Sequence, residues 1–264
     1  MASEHTELPA SAGESRRSFL KKAGVAGAVA WTAPTVLSSP ALAQGTCELC
    51  LLVSWTNAFW ASTLLYANGA SVPTWTACVG GLDATQTTAT RQPTFLTTGL
   101  AGQPAVDFDG IDDLLQFGPL TLAQPFSIVV IGQQDTTTDP NTAIRNNTGP
   151  GVNLTFRRQG GAFFSITAGT DLDDGASTTA PSIVVGYYNG TNSFIEVNGV
   201  QTTGNAGTNN LNNATMNIGA GLSGTSNPFD GRIAFVGFYS GNVTTDPNWA
   251  EFESCVTSIY GIPT

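Results

Sequence analysis

Four carboxylates fall within seven residues at Asp107-Phe108-Asp109-Gly110-Ile111-Asp112-Asp113. Calcium takes hard oxygen donors of this kind, so Asp107, Asp109 and Asp112 are candidate metal ligands. The same run also reads as a turn. Asp109-Gly110 makes the bend, and Asp107 and Asp109 share one face of a strand. Asp171-Leu172-Asp173-Asp174-Gly175 is a second cluster. It starts like a calcium loop, but the bidentate Glu that completes an EF-hand is missing. Asp171, Asp173 and Asp174 are therefore a second candidate set, weighed against a plain solvated loop. Calcium is the one cofactor these residues suggest.

The next run sets where such chemistry takes place. Ser15-Arg16-Arg17-Ser18-Phe19-Leu20-Lys21-Lys22 precedes an apolar stretch from Ala23 to Leu37, and Ala41-Leu42-Ala43 follows. Paired arginines before an apolar run are the address of twin-arginine export. The small-x-small triplet is a cleavage pattern, so the mature chain is expected to begin at Gln44, after Ala43. A stretch this short, interrupted by Pro34, falls below the ~20 residues that span a bilayer. The expected location is extracellular, cell-surface or periplasmic. No later run is long enough to cross a membrane. Residues 1–43 thus read as a signal peptide and 44–264 as one domain.

Removing that signal takes away Lys21, Lys22 and the single histidine, His5. The cations left are Arg91, Arg145, Arg157, Arg158 and Arg232, in a chain whose formal net charge is −10. Such a chain repels nucleic acid, whose recognition needs basic patches. Arg157-Arg158 sends one side chain to each face of its strand, too small a patch for a polyanion. Without histidine, no Ser-His-Asp or Cys-His device can be built. Without lysine, Schiff-base chemistry is excluded. Carboxylates are the acid–base groups left, with Glu48, Glu196, Glu251 and Glu253 the only glutamates beyond the signal. Glu251 and Glu253 lie two apart on a predicted helix and point apart. No Glu-x-Asp-x-x-Glu strand motif of sandwich glycosidases occurs. Trp55, Trp60 and Trp75 could stack on a sugar, though core packing accounts for each.

Cys47, Cys50, Cys78 and Cys255 are even in number and bound for an oxidising compartment, so two disulfides are expected. A Cys47–Cys50 bond closes a very tight ring. The favoured pattern joins one of that pair to Cys78 and the other to Cys255, clamping the end of the chain to its beginning. A four-cysteine zinc site is the rival reading, and it lacks a second close pair.

These residues need a scaffold. Asn-Gly or Asp-Gly pairs start at Asn68, Asp109, Asp174, Asn189, Asn198 and Asp230, and such pairs favour tight turns. Between them lie short runs rich in β-branched and aromatic residues. Phe126–Ile131, Ser182–Tyr188 and Arg232–Tyr239 are apolar on both alternating faces, so each predicts a strand covered on both sides. Thinner strands are expected at 104–108, 114–117, 152–156, 162–167, 193–197 and 216–219. Many short strands with frequent turns predict a two-sheet antiparallel sandwich. One helix closes the chain. Asp246 caps it, Pro247 suits its first turn, Trp249, Phe252, Val256 and Ile259 form its apolar face, and Gly261 ends it.

Several segments resemble the laminin-G-like, concanavalin A-like jelly-roll domains. They are Val72-Pro73-Thr74-Trp75 with Asp83-Ala84-Thr85-Gln86, then Arg91-Gln92-Pro93-Thr94-Phe95. The closest is Gly99 to Leu114, and the others are Gly186-Tyr187-Tyr188-Asn189-Gly190, Glu196-Val197-Asn198-Gly199, Phe229-Asp230-Gly231-Arg232-Ile233 and Tyr260-Gly261-Ile262. The resemblance implies an all-β jelly roll of two antiparallel sheets. It also implies a sugar or protein ligand at a rim or concave face, with calcium in some members. Where relatives carry Asp-x-Ser-Gly after the early Trp, this chain has Ala77-Cys78-Val79-Gly80. The expected function is a disulfide-stapled surface domain that binds a glycan or cell-surface partner rather than catalysing, with Thr202–Asn213 a candidate rim loop. A self-associating coat or adhesive subunit and a carboxylate polysaccharide enzyme are the alternatives. Oligomeric state is left open.

Overall fold

A computed structural model describes residues 47–137, 140–147, 151–158, 163–221 and 226–264. The expected export signal, with Arg16, Arg17, Ala43 and Gln44, lies outside them. In chain order the strands are β1 (Asn57–Trp60), β2 (Thr74–Trp75), β3 (Ala84–Thr85), β4 (Thr94–Leu100), β5 (Gln103–Asp109), β6 (Leu115–Leu122), β7 (Phe126–Gln134) and β8 (Asn141–Asn146). They continue with β9 (Val152–Arg157), β10 (Phe163–Ala168), β11 (Asp171–Ala176), β12 (Ser182–Tyr188), β13 (Ser193–Val197), β14 (Val200–Gly204), β15 (Leu211–Ile218) and β16 (Asp230–Ser240). A short helix α1 (Leu49–Leu52) opens the described chain, and α2 (Trp249–Tyr260) closes it.

The strands form two antiparallel sheets, ordered β14-β13-β12-β7-β16-β5-β4 with β1 also on β16, and β11-β10-β9-β8-β15-β6-β3-β2. The three runs that are apolar on both faces become β12, β7 and β16, which are neighbours in the first sheet. Their two faces bury in two different places. Ile128, Val130, Val184 and Val236 point into the core between the sheets. Val129, Ile131, Val185 and Phe235 point the other way, into a second apolar layer with Trp249, Phe252 and Val256 of α2. A strand sealed by a sheet on one side and a helix on the other has no polar face to alternate with.

Two disulfides fasten that outer layer. Cys47 pairs with Cys255, and Cys50 with Cys78. Helix α2 buries Trp249, Phe252, Cys255, Val256 and Tyr260, while Ile259 is only partly covered. The helix begins at Trp249, three residues after the expected cap. Asp246 instead holds a turn, accepting the Asn248 N–H at 2.9 Å. Gly261 ends the helix in the left-handed region at φ 66°. Gly237 lets the β16 backbone approach Trp55, since a Cβ there would stand 2.7 Å from the indole ring.

Two of the expected turns are strands. Asp174-Gly175 lies within β11 and Asp230-Gly231 within β16. At Gly231 a Cβ would overlap the Gln133 carbonyl of the neighbouring strand, so this glycine serves close backbone approach rather than a bend. Asn198-Gly199 does turn, with φ of 52° and 77° between β13 and β14.

Candidate functional site

The first carboxylate cluster sits where β5 ends. Asp109 Oδ1 accepts backbone N–H groups from Ile111 at 2.8 Å, Asp112 at 3.3 Å and Asp113 at 3.4 Å. Asp113 Oδ2 accepts the Asp109 N–H at 3.1 Å. Carboxylate oxygens of Asp109, Asp112 and Asp113 come within 4.8 Å of one another, a span a hard cation's oxygen shell covers. Asp107 is not among them: it lies on β5 beside Arg232, at 3.3 Å. The hydrogen bonds of the turn account for the cluster as it stands. A cavity of about 350 Å³ adjoins it, lined in part by Asp109, Asn141 and Asp230. Asp109 and Asp230 are cross-strand partners of β5 and β16.

Asp113 is 7% exposed. Burial, then the Asp109 charge, pushes its carboxyl up to about 6. A carboxyl raised in the folded state stabilises the fold below its unfolded value, near 4, and loses that contribution as pH rises through 6. Stability is therefore expected to fall by on the order of 2 kcal/mol between pH 4 and pH 7. Asp113→Asn keeps an acceptor for Asp109 and should flatten this slope in urea titrations. An unchanged slope in the variant would put its cause elsewhere.

The second cluster is a strand, not a loop. On β11, Asp171 and Asp173 pair with Arg158 at 3.0 and 2.9 Å, Asp171 also accepts the Thr167 hydroxyl at 2.6 Å, and Asp174 accepts the Thr202 hydroxyl. Arg158 lies one residue past the end of β9, so strand alternation no longer directs it. It reaches the face that Arg157 shares, and not the opposite one. Burial raises the Glu196 carboxyl, and the Glu253 charge adds to the effect. The fold thus couples a glutamate of β13 to one of α2, a pairing that no local spacing contains.

The outer face of the second sheet is polar throughout its middle. Val152, Leu154 and Phe156 of β9 and Phe164, Ile166 and Ala168 of β10 point into the core. Asn153, Thr155, Arg157, Ser165 and Thr167 therefore face outward. Register then builds one row across seven strands: Asp171, Thr167, Asn153, Arg145, Asn217, Gln116, Thr85. The row runs roughly 29 Å at the usual strand spacing. Asp171 and Thr85 at its ends are exposed, and Asn217 near its middle is fully buried. Gln116 Nε2 donates to Asn217 Oδ1 at 2.8 Å, and Asn217 Nδ2 donates in turn to the Gly221 carbonyl at 2.7 Å.

The tryptophans are core residues: Trp75 lies between the sheets, and Trp55 and Trp60 lie under α2. Of the Thr202–Asn213 segment, Asn205, Gly207, Thr208 and Asn209 line a polar cleft of about 270 Å³ with Ala168, Gly169, Thr170 and Thr191.

No protein-family model and no curated protein matches the chain. Among solved structures, a Trypanosoma rangeli sialidase in complex with sialic acid is similar at a TM-score of 0.53 and 14% identity, over 79% of this chain and 33% of that one. An arabinofuranosidase complexed with arabinofuranosyl-alpha-1,2-xylobiose is similar at a TM-score of 0.52 and 14% identity, over 72% of this chain and 51% of that one. At this identity the likeness shows the fold, and the chain spans about a third and about half of the length of these two enzymes. They nevertheless correct the expectation of a chain that binds rather than catalyses. The same sandwich occurs within enzymes, and the fold is compatible with a glycosidase. Lack of histidine, of lysine and of one strand motif says nothing of carboxylates that folding brings together from separate segments, such as Asp109 with Asp230.

The two disulfides match an extracellular or oxidising location. No described helix is long and apolar enough to cross a membrane.

Proposed function

We propose that this chain is a carbohydrate-recognising domain of the laminin-G-like type, exported through the twin-arginine route, cleaved after Ala43 and left with residues 44–264. The observation that carries the reading is the polar row from Thr85 to Asp171. Sugars present hydroxyl groups, which amide, hydroxyl and guanidinium side chains hydrogen-bond. The row offers all three, in register, on the sheet face opposite the core. The carbohydrate named for both structural neighbours supports the same class. Asn153→Ala removes one half-exposed amide from the row without touching the core. It is expected to weaken retention on a glycan array at least tenfold while the melting temperature holds. Unchanged retention in that variant would move the ligand off this face.

A second reading, glycoside hydrolysis, is favoured by the cavity beside Asp109 and Asp230 and by Asp113, whose carboxyl burial pushes up to about 6. Sandwich glycosidases work with two carboxyls, one of them raised. New reducing ends from soluble polysaccharides, lost in Asp113→Asn, would support it.

A further inference from the structure

We propose that the glycan held by the outer face of the second sheet is acidic, and that Arg145 and Arg157 bind its carboxylate or sulfate groups; this rests on the carbohydrate reading of that face. Five arginines lie within the described residues. Arg91, Arg158 and Arg232 each have an aspartate partner within 4.0 Å. Arg145 and Arg157 have none among the described residues. Both belong to the same outer face, on adjacent strands β8 and β9. Their Nε atoms, and Nη1 of Arg157, are buried without a hydrogen-bond acceptor. On the next strand the Ser165 hydroxyl, 1% exposed, is also without a partner. In a chain of net charge −10, acids are plentiful. Two guanidinium groups on one face without an acidic partner among the described residues are therefore an arrangement that an outside anion completes. Guanidinium presents a planar fork that matches carboxylate and sulfate oxygens.

Arg145 pairs with Asn153, four residues before Arg157 on β9, so the two backbone positions stand roughly 13 Å apart along the strand. Two cations on one face suit a ligand with two anionic groups, as an oligomer of acidic sugars has. The chain's overall negative field opposes long polyanions, which favours a short oligosaccharide or a chain end.

Calorimetric titration of the full chain with tetragalacturonate, its methyl ester and a chondroitin sulfate tetrasaccharide tests this. One of the two acidic oligosaccharides is expected to bind at least tenfold more tightly than the neutral ester. Binding of the tetragalacturonate shows that carboxylate suffices, and binding of the chondroitin sulfate alone, which carries both groups, shows that carboxylate by itself does not. Arg145→Gln and Arg157→Gln should each abolish that preference. Arg91→Gln, a cation paired elsewhere, should leave it intact. The wild-type comparison decides even if a variant fails to fold. Equal binding of acid and ester, or no binding of either acidic oligosaccharide, overturns the inference. If a neutral glycan on the array still depends on Asn153 in either case, the carbohydrate reading of the face survives. If no glycan binds, both fall.

Discussion

Replacing Cys47 and Cys255 together by serine is expected to cost about 5 kcal/mol of stability in the chain-entropy model of a cross-link. That bond joins residues 208 apart, the Cys50–Cys78 bond residues 28 apart. Removing the shorter one should cost about 3–4 kcal/mol by the same relation. The order matters as much as the size. If the bonds act by restricting the unfolded chain, the longer loop loses more. If they act by fixing the amino-terminal segment against α2, the two losses should converge, because Leu49, Cys50, Val53 and Trp55 share one buried layer with Cys255. Urea unfolding of the two double variants, each with the other bond intact, separates these outcomes. A loss below about 1 kcal/mol for the long bond would show that the layer under α2 holds itself together, against the entropic account.

The parts of the fold that can be read from sequence are those whose cause is local. Alternation fails in Phe126–Ile131, Ser182–Tyr188 and Arg232–Tyr239 because both sides are covered, and that is visible in the residues themselves. The end of α2 is visible too, since Gly261 supplies a left-handed residue where a helix must stop. Its start is not. Asp246 looks like a cap but is spent on a turn that also brings its other oxygen to the Ser54 N–H at 3.4 Å, 192 residues away. Asp230-Gly231 misleads for the same reason: a glycine chosen for contact with a distant backbone has the same letters as one chosen for a bend.

The candidate site is less legible still, because register makes it. Arg145, Asn153, Asn217 and Gln116 stand on four strands and meet only after β8, β9, β15 and β6 are aligned. A one-residue slip in any pairing would turn its contribution inward. The Arg157-Arg158 dipeptide shows the limit well. In sequence its members are neighbours, yet the partner in chemistry proposed for Arg157 is Arg145, twelve residues earlier, and Arg158 is spent on Asp171 and Asp173.

Phe252→Ala should destabilise the domain by about 4 kcal/mol, within the usual range for a fully buried Phe. Phe252 is 0% exposed and stands at the centre of the layer that covers the first sheet. Its ring lies 5.5 Å from Trp55 in an edge contact, 5.4 Å from Phe235 and 5.0 Å from a stacked Trp249. A helix of twelve residues is marginal by itself, so α2 persists because this face is buried. Truncating the ring leaves a cavity bounded by two tryptophans and a β-strand, none free to collapse into it. Ile259→Ala, on the partly covered edge of the same helix, should cost about 1 kcal/mol or less, in line with its small burial. The contrast isolates packing from helix propensity, since both changes introduce the best helix former. Equal losses for the two variants would mean that α2 is held by its disulfide and not by its apolar face. The outward layer of β7, β12 and β16 would then owe its burial to the amino-terminal segment instead.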